Sequence, residues 1–233
     1  MQLKEKNNKQ LSVIMPCLNE ENTVGICVDA AFSFIRKQHI DGEVIVVDNG
    51  STDASSNIAF EHGAMVVDEE RPGYGRAIRT GIEMSHGSII VICDCDTTYD
   101  MDDIKRLLIP MESGMFDVMI GNRFAGAMEK GAMPFSHKVG VRALSAFGRH
   151  RYGTDVVDFH SGIRGLTREA VKGLEFSTDG MEFATEFIAE SAKCKLRIGQ
   201  TAVSLKKCNY ERSSKLNAIR DGMRHLRYIS RGK

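Results

Sequence analysis

The sequence lacks several signatures that would place it in other classes of protein. None of its apolar runs approaches the ~18–20 residues of a membrane-spanning helix. The start of the chain, Met1 to Gln10, is polar and has no signal-peptide core. The six cysteines form no C-x-x-C pair and several lie in apolar runs, which indicates reduced core thiols rather than disulfides or a soft-metal site. These absences predict a cytoplasmic protein.

Two common nucleotide-binding fingerprints are also missing. In the segment that begins Gly73-Tyr-Gly75, Ile78 occupies the place of the third glycine of a dinucleotide-binding loop. No G-K-S or G-K-T triplet, which a P-loop requires, occurs in the chain. A nicotinamide dehydrogenase and a P-loop ATPase are therefore excluded as interpretations.

Charge is balanced overall but unevenly distributed. The formal net charge is zero, yet the segment from Lys206 to Lys233 holds nine basic and only two acidic residues. A basic end on a balanced protein indicates an anionic partner such as phosphate groups or a membrane surface. We expect no nucleic-acid partner.

Strand and helix patterns alternate along the first half of the chain. The predicted elements are strand Leu11–Met15, helix Asn22–His39, strand Glu43–Val47, helix Ala54–His62, strand Ala64–Val67, helix Gly73–Met84, strand Ile89–Cys93, helix Asp100–Met111 and strand Phe116–Ile120. This order predicts an α/β fold with a mostly parallel sheet flanked by helices. Beyond Gly121 we expect an irregular, mobile loop over the strand ends, and then helices with one strand, Leu196–Val203.

The most informative pattern is a pair of acids at the end of an apolar strand. Asp94 and Asp96 follow the run Ile89–Cys93, and residues two apart on a strand share a face. Ligands of open α/β sheets bind outside the carboxyl ends of the strands. Two carboxylates there suit Mg²⁺ or Mn²⁺ carrying a diphosphate, although an isolated D-x-D is more often a solvated strand end.

The loops after two earlier strands add polar residues to the same edge. Pro16, Asn19 and Glu20 follow the first strand, and Asp48 and Asp53 follow the second. Taken singly these residues have ordinary roles as helix caps and turn formers. In a parallel sheet they converge with Asp94 and Asp96.

Taken together and in this order, the motifs resemble family-2 glycosyltransferases of the GT-A (Rossmann-like) fold. The resemblance covers about residues 11–228 and continues in the motifs Gly75-Arg-Ala-Ile-Arg79, Gly121-Asn-Arg123-Phe, Asp158-Phe-His160-Ser-Gly162-Ile-Arg164, Gly180-Met-Glu182-Phe-Ala-Thr-Glu186 and Arg212-Ser-Ser214-Lys215-Leu. Within the family, the pattern is most similar to the dolichyl- or undecaprenyl-phosphate mannose and glucose synthases.

This resemblance implies an enzyme that moves a hexose, with inversion, from a UDP- or GDP-sugar to a polyprenyl phosphate. It assigns nucleotide contacts to Pro16, Asn19, Glu20, Asp48, Asp53, Arg79 and Asp94, the metal to Asp94 and Asp96, catalytic roles to Asp96, Arg123 and Asp158, and acceptor or phosphate contacts to Arg164, Arg212, Ser214 and Lys215. A soluble hydroxyl acceptor, such as a glycan or secondary metabolite, is the alternative. It would need a general base, for which Asp158, Glu182 or Glu186 is a candidate. A non-catalytic nucleotide-sugar-binding subunit is a third interpretation.

Thr98 departs from the mannosyl pattern, which has glutamine there as a further metal ligand. The donor base and sugar therefore stay open, as does the role of His160. We expect a disordered tail over residues 1–10, a GT-A domain over 11–213 and a basic amphipathic helix over 214–233. Its apolar stripe is formed by Leu216, Ile219, Met223, Leu226 and Ile229. The helix suits either an anionic membrane surface at the inner face of the membrane or docking on the protein's own core.

Overall fold

The computed structural model describes residues 9–208, 210 and 218–231, and within them a seven-stranded sheet flanked by eight α-helices. The strands are β1 (Leu11–Cys17), β2 (Gly42–Asp48), β3 (Met65–Asp68), β4 (Ile89–Ile92), β5 (Val118–Asn122), β6 (Arg164–Thr167) and β7 (Ile198–Ala202). The helices are α1 (Val24–Lys37), α2 (Ser55–Glu61), α3 (Tyr74–Met84), α4 (Ile104–Glu112), α5 (Phe135–Tyr152), α6 (Arg168–Val171), α7 (Phe183–Lys193) and α8 (Ala218–Arg231).

The strand order is β3-β2-β1-β4-β6-β5-β7. Strands β1 to β4 are parallel, β6 runs antiparallel to both β4 and β5, and β7 is parallel to β5. The prediction of a mostly parallel α/β sheet is confirmed. After β3 the chain returns to the other side of β1, so the switch point of the sheet lies between β1 and β4, where ligands of open α/β sheets bind.

Alternation along the central strands builds two core layers. Val13 and Val91 face the layer that contains α1 and α4, whereas Ile14 and Ile92 face the layer that contains α3 and α7. Each fully buried aliphatic side chain of this kind contributes roughly 1.5–3 kcal/mol relative to leaving it exposed. The two-layer burial fixes the register of β1 and β4, and with it the position of the loops that follow them.

The irregular stretch predicted beyond Gly121 extends to Pro134, and helix α5 follows it over 18 residues. The bounds of this helix were not predicted. Its pattern was obscured because only Ser145 and Gly148 of this helix are buried. Strand β6 was also missed, since four residues with a glycine among them carry too little periodicity to be recognised.

Helix α8 packs against α5 and α7 through a face that includes Ile229 of the predicted apolar stripe but not Met223 or Leu226. The buried residues are Asp221, His225 and Ile229, which are four apart on the helix. Met223 and Leu226, from the predicted stripe, are 51% and 47% exposed. The helix thus docks on the protein and still presents apolar side chains to solvent. The side chains of the other two stripe residues, Leu216 and Ile219, lie outside the described part of the chain.

Candidate active site at the carboxyl edge of the sheet

The loops after β1 and β2 are joined by hydrogen bonds. The backbone N–H of Asn19 donates to Ser51 Oγ at 2.9 Å, and the N–H of Thr52 donates to Asn19 Oδ1 at 2.7 Å. Asn19 adopts a left-handed backbone (φ 50°), a conformation that asparagine tolerates better than most residues. Glu20 is buried, and its N–H donates to Ser55 Oγ at 2.7 Å. The two loops therefore form one rigid unit.

The two acids of the β2 loop are held in different ways. Asp48 ends β2, is buried, and accepts a 3.0 Å hydrogen bond from the N–H of Ser51. Asp53 accepts hydrogen bonds from the N–H and hydroxyl of Ser55 and from the N–H of Glu21. Burial raises the pKa of Asp53, but the bonds from Ser55 and Glu21 outweigh it and lower the pKa below its ordinary value. Asp53 thus stays ionised and fixes the loop. Pro16 lies within β1.

Asp94 and Asp96 lie just beyond the end of β4, at the switch point. The hydroxyl of Tyr74, at the start of α3, donates to Asp94 Oδ1 at 3.1 Å. Burial, together with the charge of Asp96, raises the pKa of Asp94 to about 7. Asp96 is buried and accepts hydrogen bonds from the N–H and hydroxyl of Thr98 at 3.0 and 2.5 Å. Asp94 is half-buried and Asp96 is buried, and two such neighbouring carboxylates repel each other, so a cation between them would lower the electrostatic energy of the site.

The residues present fit a cation that is shared with a ligand. Among the residues that the structure describes, no group of three or more His, Cys, Asp or Glu side chains is arranged to hold a metal by itself. Mg²⁺ is commonly bound by one or two carboxylates while substrate phosphates and water complete the octahedron. Asp94 and Asp96 supply that number.

Opposite these acids lies a buried ion pair. Arg123, just after β5, donates from Nε to Asp158 Oδ2 at 2.7 Å and from Nη2 to Asp158 Oδ1 at 2.8 Å. Asp158 is fully buried, and the side chain of Arg123 is 11% exposed. Burial disfavours the charge of Arg123, but Tyr99 and Asp158 raise its pKa above the ordinary value. Arg123 is a permanent, pre-positioned cation, and Asp158 is occupied in holding it.

Other predicted residues lie close by but make internal contacts. Arg79 donates to the carbonyl of Phe176 at 2.9 Å and pairs with Asp179. Arg164 is buried beneath the site, donates to the carbonyls of Ser161 and Ala184, and lies 5.2 Å over the ring of Phe187. Its charge acts on Asp94 through space, and its predicted contact with an acceptor stays a prediction.

The two glutamates proposed as alternative bases differ. Both carboxylate oxygens of Glu186 accept hydrogen bonds from Ser177 and Thr178, at 2.6–2.9 Å, so this residue clamps the preceding loop. Glu182 has one buried carboxylate oxygen that finds no hydrogen-bond partner among residues 9–208, 210 and 218–231. Arg212, Ser214 and Lys215 lie outside the described residues, so their predicted contacts stay predictions.

Sequence reasoning missed three contributors around Asp94. Besides Tyr74, these are Gly162 and Tyr99, whose hydroxyl accepts a 2.7 Å hydrogen bond from the N–H of Gly162. A Cβ at Gly162 would lie 1.9 Å from Asp94 Oδ2, so only glycine fits. Gly162 lies inside a recognised motif, whereas Tyr74 and Tyr99 do not, and close approach of a backbone to a carboxylate has no sequence pattern of its own.

An open α/β sheet with paired carboxylates at its switch point defines the class of Rossmann-like nucleotide-binding folds to which GT-A domains belong. Residues 12–174 match the model of glycosyl transferase family 2, and the chain belongs to that family.

Relatives and solved structures agree with this assignment. The low-salt glycan biosynthesis hexosyltransferase Agl6 of Haloferax volcanii is 37% identical over 220 residues, which are 94% of this chain and 52% of Agl6. The dolichyl-phosphate hexose transferase of the same organism is 30% identical over 78% of this chain and 76% of its own length. Glucosyl-3-phosphoglycerate synthase from Mycobacterium tuberculosis, solved with Mg²⁺ and UDP, superposes with a TM-score of 0.76 at 25% identity, over 96% of this chain and 80% of that one. The chain spans about half the length of Agl6.

Proposed function

We propose that the protein transfers a hexose from a UDP- or GDP-sugar to a polyprenyl phosphate, with inversion and with Mg²⁺ or Mn²⁺. The observation that carries this proposal is the pairing, across one edge of the sheet, of two adjacent carboxylates (Asp94, Asp96) with a buried guanidinium (Arg123). A diphosphate bound with a cation needs carboxylates that hold the cation and a positive side chain that stabilises the charge of the diphosphate. The names of Agl6 and of the dolichyl-phosphate hexose transferase support the hexosyl chemistry.

In the proposed reaction, the bond between the anomeric carbon and the diphosphate breaks and its electron pair leaves on the diphosphate. A phosphate oxygen of the acceptor supplies the electron pair of the new bond from the opposite face, which inverts the anomeric carbon. Asp94 and Asp96 would hold the cation, which as a Lewis acid stabilises charge on the leaving group. Arg123 would neutralise the remaining charge, and Asp48 with Asn19 would bind the base and ribose.

A phosphate acceptor is already an anionic nucleophile, so this chemistry needs no general base. That agrees with the structure, in which Asp158 is bonded to Arg123 and Glu186 to Ser177 and Thr178. The second candidate, transfer to a soluble hydroxyl acceptor, would need a free base. Glu182, with its unpartnered oxygen, is the residue that favours this candidate. The similarity to glucosyl-3-phosphoglycerate synthase, whose name gives a soluble product, favours it too.

A panel assay separates these candidates. The protein is incubated with radiolabelled UDP- and GDP-hexoses, Mg²⁺ or Mn²⁺, and either undecaprenyl phosphate or 3-phosphoglycerate. We expect label in the organic phase only with the lipid, and none with excess chelator. Transfer to 3-phosphoglycerate alone would select the second candidate. Donor binding without transfer to any acceptor would indicate a non-catalytic subunit.

A lipid acceptor requires access to a membrane surface, for which α5 and α8 are suited. Within residues 9–208, 210 and 218–231, no helix combines the length and apolar character that crossing a bilayer requires. However, α5 and α8 pack together and expose Phe135, Val139 and Phe147 on α5 and Met223 and Leu226 on α8. The same two helices carry the exposed basic residues Arg142, Arg151, Arg224 and Arg227. Such a mixed surface suits anionic headgroups, each basic residue contributing about 1 kcal/mol.

We therefore predict that the protein co-sediments with phosphatidylglycerol vesicles and is released as salt rises. The double substitution Phe135→Ser and Leu226→Ser should lower vesicle binding about tenfold or more, because it removes two apolar anchors. Phe60→Ser is the matched control, since Phe60 is 72% exposed but lies on α2. Equal binding by the double variant would contradict this role for the α5–α8 surface.

A further inference from the structure

Helix α8 touches the candidate active site through a pair of histidines. Nε2 of His160 lies 3.3 Å from Nδ1 of His225, and the two rings stand edge to face with centroids 4.3 Å apart. Nδ1 of His225 also lies 2.8 Å from the hydroxyl of Thr185 on α7. His225 is buried, so this contact is shielded from water.

His160 belongs to the segment 158–162, which contacts both charged parts of the site. At one end, Asp158 holds Arg123 and also accepts a 3.3 Å hydrogen bond from the N–H of His160. At the other end, the backbone of Gly162 packs against Asp94 Oδ2. His160 lies between these two contacts, so a shift of its ring would move both.

The contact with His225 is the hydrogen bond that the His160 ring makes among the described residues. Nδ1 of His160 is shielded from solvent and has no hydrogen-bond partner within the described part of the chain. Burial lowers the pKa of His160 well below its ordinary value and that of His225 to about 4, so both rings are neutral near pH 7 and do not repel each other. Nδ1 of His225 is a single donor or acceptor position, so its 3.3 Å hydrogen bond with His160 shares it with the 2.8 Å contact to the Thr185 hydroxyl, and the edge-to-face packing of the two rings completes the contact.

We propose that His225 is a positioning residue: through His160 it holds the segment 158–162, and therefore Arg123 and Asp94, in the arrangement that sugar transfer requires. The catalytic half of this role rests on the proposed transfer reaction. The structural half does not, and it can be measured without any substrate.

The test compares His225→Phe with Tyr228→Phe. Tyr228 makes another hydrogen bond between α8 and α7, donating to Glu190 Oε1 at 3.3 Å, but it does not contact His160. Both variants weaken the docking of α8, and only His225→Phe cuts the contact with the segment 158–162. His225→Asn keeps a polar group near the position of Nδ1 and serves as the conservative variant.

We expect hydrogen exchange of peptides covering 156–164 to accelerate at least tenfold in His225→Phe and to stay at the wild-type rate in Tyr228→Phe. With an active donor, kcat should fall about tenfold in His225→Phe while the donor KM changes less than about twofold, and His225→Asn should recover most of kcat. If His225→Phe does not fold, His160→Phe cuts the same contact from the other side, and its exchange decides the question.

The proposal would be overturned if the variant that cuts the contact, His225→Phe or His160→Phe, kept the wild-type exchange rate of peptides 156–164 and the wild-type kcat. Equal losses in Tyr228→Phe would also overturn it, because they would reduce His225 to a general anchor of α8. If no donor and acceptor support transfer, the proposed function fails, and the exchange data still decide whether His225 positions the segment.

Discussion

The two halves of the sheet hold their functional side chains in different ways. Beside β1 and β2, the loop residues are fixed by short bonds between neighbouring loops, such as those of Asn19 with Ser51 and Thr52. Beside β5 and β6, they are fixed by pairs between distant parts of the chain, Arg123 with Asp158 and His160 with His225. The first half is self-contained, whereas the second depends on packing by α5, α7 and α8. Substitutions should therefore separate activity from stability in the first half and damage both together in the second.

The largest effect should come from the acids after β4. Asp96→Asn removes a charge that the proposed reaction needs, and we expect kcat to fall roughly 10³-fold, or about 4 kcal/mol of transition-state stabilisation, with little change in unfolding free energy. Asp102→Asn is the control, because Asp102 follows the same strand but pairs with Lys37 at the exposed surface. If the kcat of Asp96→Asn were close to that of Asp102→Asn, Asp96 would have no role in the proposed reaction.

In the second half, Asp158→Asn should cost stability as well as activity. Removing one partner of a buried ion pair leaves an unpaired charge, and we expect the unfolding free energy in urea to fall by about 3 kcal/mol. Asp117→Asn breaks a pair of the same bidentate geometry, with Arg197, at an exposed position. It should cost less than about 1 kcal/mol. Similar costs at the two positions would contradict the contrast between the halves.

The histidine pair should make the second half sensitive to acid. The pKa of His225 is about 4 in the folded protein against about 6.5 unfolded, so the unfolded state binds more protons between these values. The contribution of His225 to the unfolding free energy should therefore be nearly constant above pH 6.5. It should decrease as the pH falls toward 4, by about 2 kcal/mol at pH 5. In urea unfolding, the free energy of His225→Asn should differ less between pH 7 and pH 5 than that of the wild-type protein. His150→Asn is the control, because His150 is exposed, and it should leave the pH dependence of the unfolding free energy at the wild-type value.

The smallest effect probes the contact that joins α3 to the β4 loop. Tyr74→Phe removes the hydrogen bond to Asp94, worth about 1 kcal/mol, and should lower kcat about fivefold. Tyr152→Phe is the matched control, since the hydroxyl of Tyr152 has no hydrogen-bond partner among the residues that the structure describes. Wild-type kcat in Tyr74→Phe would mean that Asp94 needs no such support.

The contrast between the halves also explains what the sequence could predict. Strands β1, β2 and β4 are short apolar runs followed at once by polar motifs, so both the sheet and the convergence of Asp48, Asp94 and Asp96 follow from local pattern. Arg123 and Asp158 were both assigned to the site, but their pairing joins residues 35 apart and has no local signal. The role of α8 was half predicted: its amphipathic character is clear, but the docked face contains Asp221 and His225, which no hydrophobicity pattern selects.

Strand β6 has a consequence for how such a protein can diversify. Because β6 runs against β4 and β5, the chain leaves the active edge at Asn122 and comes back to the same edge at Arg164. Everything between, including α5 and the segment 158–162, is an excursion with both ends anchored at that edge. Apart from the isolated bridge between Met128 and Leu205, an insertion or deletion there leaves the pairing of the seven strands intact. The fold can therefore remodel the side of the site next to α5 and α8 during evolution while the loops after β1, β2 and β4 stay as they are.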